Sequence, residues 1–110
     1  VEGMSADELK QKILLAISNE EKVLILSDLL GGTPFKVSST IMVENPTKTM
    51  NVLSGLNLAM LMEAVFARMA HGFDEVADKA VAAAQSGVVN GKELFSTDVE
   101  AEEEDFESGI

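Results

Sequence analysis

The chain contains no cysteine, which excludes disulfides and thiol catalysis, and its one histidine excludes a histidine-rich metal centre. No metal or organic cofactor is indicated. Basic residues are scarce as well. Eight Lys and Arg stand against nineteen Asp and Glu, a formal net charge of −11, and this argues against nucleic acid or an anionic membrane surface as the main partner, because both need a basic footprint. No apolar run reaches the length of a membrane span and no secretory signal opens the chain, so the expected setting is cytoplasmic. With 110 residues, 46% of them hydrophobic, the chain supports one small compact domain. The negative charge is unevenly placed: residues 98–107 carry seven acids, seven of the eleven net negative charges, which leaves −4 for the rest. The division expected is a folded part over residues 1–97 and a solvated acidic tail over 98–110.

The stretch around which the chain is organised is V-L-I-L-S-D-L-L-G-G-T-P-F, residues 23–35. Val23, Leu24, Ile25 and Leu26 form an apolar run too short for a typical buried helix, and it reads as a parallel strand covered on both faces. Asp28 follows, then Gly31 and Gly32, which free the backbone to turn closely, then Thr33 as a helix N-cap and Pro34 at the first helical position. In an open α/β sheet such a turn lies at the carboxyl edge of the strands, where amides and the positive end of the helix dipole favour an anion. The candidate site is Asp28 with the backbone of Gly31, Gly32 and Thr33. The plainer reading is that strand, turn and capped helix recur throughout α/β proteins and that a terminal Asp binds only its own turn. The stretch lacks the G-K-[ST] ending of a Walker loop and is not G-x-G-x-x-G, so nucleotide binding is disfavoured.

Upstream, Ser5, Ala6, Asp7 and Glu8 fit a capping box, and Leu9, Ile13, Ala16 and Ile17 follow on one face, predicting a helix over residues 5–18. Residues 34–43 read as a second helix with Phe35, Val37, Ile41 and Met42 as its apolar stripe, ended before Pro46. A second strand is predicted over residues 49–53. Ser54, Gly55, Leu56 and Asn57 then repeat the first loop's design, with Asn57 capping a helix from Leu58, so the two loops are expected side by side. Residues 58–69 carry Leu58, Leu61, Met62, Val65, Phe66 and Met69 as a broad face for burial against the sheet, the methionines acting as core filler. After a break at His71 and Gly72, helical spacing returns over residues 73–88 through Phe73, Val76, Ala77, Ala80, Val81 and Ala84. Asn90 and Gly91 end it, and residues 92–97 are predicted as a short strand. Two parallel strands with four helices leave sheet edges in need of neighbours. Those neighbours are expected from an N-terminal part that this chain, which opens on Val1 in mid-pattern, lacks, or from a partner chain.

Together, D-L-L-G-G-T-P-F after one buried strand and N-V-L-S-G-L-N-L-A-M-L-M-E-A after the next resemble the enzyme IIA component of the mannose-type sugar phosphotransferase system. The resemblance implies an α/β fold, a doubly wound, mainly parallel sheet with helices on both faces, dimeric through a C-terminal strand exchanged between subunits, here residues 92–97. It implies a phosphoryl relay: a histidine takes phosphate from the histidine-containing phosphocarrier protein and hands it to enzyme IIB, which passes it to a sugar entering through a membrane permease. By the same resemblance, Asp28 bonds the other ring nitrogen of the phosphorylated histidine, Thr33 supplies a hydroxyl beside the phosphoryl group, and the amides of Gly31, Gly32 and Thr33 donate to its oxygens. Gly55, Leu56 and Asn57 line the neighbouring wall, and Leu29 and Leu30 offer an apolar rim to the phosphocarrier.

The sequence departs from the family pattern at one point. The family's acceptor belongs to a histidine-glycine pair after its first strand, and neither occurs here in that place. His71-Gly72 copies the dipeptide between two helices, where a loop histidine near a helix end is the plainer reading. The chain alone is therefore expected not to relay phosphate. The competing reading is a non-catalytic dimerising or regulatory module that keeps the anion pocket. A third, with Asp28 itself as phosphoryl acceptor, ranks last, because no acidic cluster stands at the end of a first strand to hold magnesium.

Overall fold

A computed structural model describes residues 4–96 of the chain. Its elements run α1 (Ala6–Ile17), β1 (Lys22–Leu26), α2 (Thr33–Glu44), β2 (Thr49–Leu53), α3 (Leu58–Ala67), α4 (Phe73–Ser86) and α5 (Gly91–Leu94). Ser5 caps α1 by accepting from the Glu8 N–H at 3.1 Å, and its hydroxyl donates to the Glu8 carboxylate. At the other end of α1, Lys48 Nζ donates to the carbonyls of Ile17 and Glu20, so a cation meets the negative pole of the helix.

β1 and β2 pair in parallel, Lys22 with Thr49 through to Leu26 with Leu53. Strand alternation sends side chains to both faces, and each face has its own helix pair. Val23 and Met50 pack with Ile17, Val37 and Ile41 of α1 and α2. Leu24, Leu26 and Leu53 pack with Met60, Ala64, Val76 and the alanines of α4. The α/β architecture with helices on both sides of a parallel sheet is thus the observed one. Among the described residues the sheet holds two strands, and the Val52 N–H donates to the Asn51 side-chain oxygen at 2.8 Å.

Several expectations are corrected. Val23 to Leu26 are half-buried rather than covered on both faces, because a cleft of about 560 Å³ opens between β1 and α3, with Val23, Leu24, Leu61 and Val65 on its walls. In α1, Ala16 is exposed and Leu14 packs in its stead. α3 ends at Ala67, short of the expected Met69, and the face expected inside is outside: Leu58, Leu61, Met62, Val65, Phe66 and, beyond the helix end, Met69 are 45–79% exposed, while Met60, Ala64 and Ala67 are buried. Ala77, Ala80 and Ala84 present a low surface on α4, and the small side of α3 approaches it closely. α4 ends at Ser86, two residues before Val88, with Gly87 as its C-cap. The strand expected over residues 92–97 is not formed where it is described: residues 92–94 belong to α5, and Phe95 and Ser96 follow as a turn. Asn90 does not end α4 but caps α5, accepting from Lys92 and Glu93, and Leu94 N–H bonds the Asn90 carbonyl. Thr97 and the acidic tail lie outside the described residues.

Candidate functional site

The loops that leave β1 and β2 lie side by side, as expected, and backbone hydrogen bonds join them past the last strand pair. Ser27 N–H donates to the Leu53 carbonyl at 2.8 Å, Leu56 N–H to the Ser27 carbonyl at 2.9 Å, and Gly55 N–H to the Asp28 carbonyl at 3.0 Å. Ser27 Oγ adds a bond to the same Leu53 carbonyl at 3.0 Å. Asp28 is exposed at the rim of this pair of loops, and neither its carboxylate nor the Thr33 hydroxyl has a hydrogen-bond partner among the described residues.

The start of α2 differs by one residue from the expectation. Gly32, in extended backbone, is the N-cap; Lys36 N–H bonds its carbonyl at 3.1 Å, so Thr33 is the first helical residue and Pro34 the second. Thr33 therefore has no capping task. The Gly32 N–H closes the turn onto the Leu29 carbonyl at 3.1 Å and is not available to a ligand in this conformation. Of the three amides expected to face an anion, those of Gly31 and Thr33 are the ones left at the positive end of α2. A side chain at Gly31 would meet nothing within 4 Å, which leaves the backbone there open to approach. The conformational demand for glycine falls instead on Gly55, whose φ is +83°.

Gly55 and Asn57 line a cleft of about 470 Å³ with Phe35, Ser54, Val81 and Gln85; Leu56 is not on its wall. Both ends of the Asn57 amide are engaged: Oδ1 accepts from Met60 N–H at 2.9 Å, capping α3, and Nδ2 donates to the Ala84 carbonyl of α4 at 3.1 Å. Leu29 and Leu30, each 67% exposed, stand on the solvent side of the first loop.

His71 is not brought to this site. α3 starts at Leu58, next to the second loop, and spans ten residues, about 15 Å of helix rise; His71 follows its far end. There Nδ1 lies 2.6 Å from the Glu75 carboxylate one turn along, and the ring lines the cleft that also holds Glu20 and Lys22, at the amino edge of the sheet. Among the described residues no cluster of His, Asp and Glu is grouped to hold a metal. The residue the sequence reading missed is Ser27, a buried hydroxyl at the last turn of an apolar run. The signal was its place: a small polar residue between the strand and the carboxylate.

The model of the EIIA-man family, described as the PTS system fructose IIA component, matches residues 1–81. The chain belongs to the mannose-type EIIA family. It is 35% identical over 92 residues to the PTS system mannose-specific EIIAB component of Escherichia coli K12 and of Shigella flexneri, matching 80% of this chain and 28% of each relative. The chain thus spans well under a third of those relatives. The crystal structure of phosphotransferase system component EIIA from Streptococcus agalactiae superimposes with a TM-score of 0.78 at 41% identity, over 83% of this chain and 71% of that one. The EIIA fold is therefore shared, with the loops of Asp28 and Gly55 inside the matched region.

Proposed function

We propose that this chain forms the acid half of a phosphohistidine relay site, which takes phosphate from the histidine-containing phosphocarrier protein and passes it to enzyme IIB for sugar uptake through a membrane permease. The observation that carries the proposal is the pair of bonded loops, which hold the Asp28 carboxylate, unpartnered among the described residues, beside the first turn of α2. In the relay, one ring nitrogen of an acceptor histidine attacks phosphorus, and the P–N bond to the phosphocarrier's imidazole breaks as the new P–N bond forms. Asp28 accepts the N–H of the acceptor's other ring nitrogen, which fixes the tautomer with its lone pair toward phosphorus and stabilises the cationic ring that results. The amides of Gly31 and Thr33 and the Thr33 hydroxyl donate to the phosphoryl oxygens, with the helix dipole behind them. Gly32 serves the turn, and Gly55 and Asn57 hold the second loop in place.

The acceptor in this proposal is a histidine other than His71, because His71 sits at the amino edge of the sheet. The 110 residues then relay nothing alone, which is also where the reading of a non-catalytic anion-binding module draws its support. Leu29 and Leu30 are the docking rim for the phosphocarrier. A cytoplasmic homodimer completes the proposal. Among the described residues no helix is long and apolar enough to cross a membrane, and the uncovered stripe of α3 supplies a driving force for association. The test of the site is Asp28→Ala in the natural full-length protein: phosphoryl transfer from the phosphocarrier falls about a hundredfold with the thermal melt unchanged. Transfer at the unaltered rate would remove Asp28 from the mechanism.

A further inference from the structure

We propose that Ser27 is a positioning residue, whose buried hydroxyl sets the direction in which the Asp28 carboxylate points; the inference rests on the relay reading of the site. The Asp28 side chain has no hydrogen-bond partner among the described residues, so nothing on the carboxylate itself fixes its aim. Its direction follows from the backbone of residues 27 and 28, and that backbone is held, among the described residues, by four bonds to the end of β2 and the second loop. Three of the four bonds that do so belong to Ser27. Its N–H and its Oγ converge on one acceptor, the Leu53 carbonyl, at 2.8 and 3.0 Å, and its own carbonyl receives Leu56 N–H at 2.9 Å.

Two donors from one residue on one carbonyl restrict rotation as well as distance, which a single bond does not. Ser27 is 6% exposed, so water does not compete for the hydroxyl, and in that setting the bond is stronger than at the surface. The fold has little need of it. Removing Oγ leaves Leu53 O with the Ser27 N–H and strands no buried donor, the arrangement in which loss of a hydrogen bond costs least. What changes is the freedom of the turn that carries Asp28, at a site where a displacement of about 1 Å is enough to slow a reaction a hundredfold. Ser27 touches neither phosphate nor acceptor and takes no part in bond making.

The experiment measures phosphoryl transfer from the phosphorylated phosphocarrier to the natural full-length protein in three variants, Ser27→Ala, Ser27→Thr and Asp28→Ala, each with its thermal melt. Ser27→Ala is expected to lower kcat about tenfold, with KM for the phosphocarrier within about twofold and the melting temperature within about 3 °C, and Ser27→Thr to restore kcat. Wild-type kcat in Ser27→Ala, with Asp28→Ala slow, would overturn the role of Ser27 and leave the relay reading standing. A slow Ser27→Thr that melts like the wild type would also overturn it, because the hydroxyl would then not be what matters. Full transfer by Asp28→Ala would overturn both.

Discussion

Asp28 and Leu30 are two residues apart and carry the two halves of the proposed function, one toward phosphate and one toward the protein that delivers it. Both are exposed, and no side-chain bond to the described residues accounts for either, so each can be altered without disturbing the core. Leu30→Asp is expected to weaken phosphocarrier binding about tenfold, the scale of an interface residue worth about 1 kcal/mol or somewhat more, and to leave stability within about 0.5 kcal/mol. Titration calorimetry and a thermal melt check the two parts; an unfolded variant would mean that Leu30 belongs to the core. At this scale the sequence exposed Asp28 and the turn glycines because carboxylate, glycine and Pro34 stand in a short, ordered run. It did not expose Ser27, since a hydroxyl signals nothing until its acceptor is known, and the acceptor is twenty-six positions away at Leu53. Thr33 suits a cap because threonine caps helices well, yet the extended backbone of Gly32 starts the helix one residue earlier.

Among the elements, α3 joins the site to the rest of the molecule through Asn57. One side chain caps α3 and ties it to α4, so Asn57→Ala removes a cap and an interhelical bond together. It is expected to cost about 1–3 kcal/mol, read as a lower midpoint in urea with an unchanged slope; an unaltered midpoint would show that the amide is dispensable. Which way α3 faces is not legible in the same way. Leu58, Met60, Leu61, Met62, Ala64, Val65, Phe66 and Ala67 put apolar residues around the whole helix, and the larger ones marked the wrong side. The face was chosen by its neighbour, whose buried alanines admit close packing against Met60, Ala64 and Ala67. By contrast β2 and the stripe of α4 were legible, since the apolar pattern of each is bounded by polar residues. Residues 92–96 misled for a related reason: Leu94 and Phe95 suggest a strand until Asn90, two residues upstream of Lys92, is seen to cap a helix.

For the molecule as a whole, two helix pairs cover the two faces of a narrow parallel sheet, and the proposed site occupies one edge while the chain's one histidine occupies the other. That separation makes it testable that the relay chemistry belongs to the loops of Asp28 and Gly55, with an acceptor other than His71. The most direct measurement is intact mass after incubating the 110-residue chain with phosphoenolpyruvate, the general phosphotransferase enzyme and the phosphocarrier, beside a form extended upstream to include an acceptor histidine. Only the extended form is expected to gain an acid-labile phosphate. A phosphate gained by the 110-residue chain, and lost on His71→Ala, would contradict it and move the site to the other edge of the sheet.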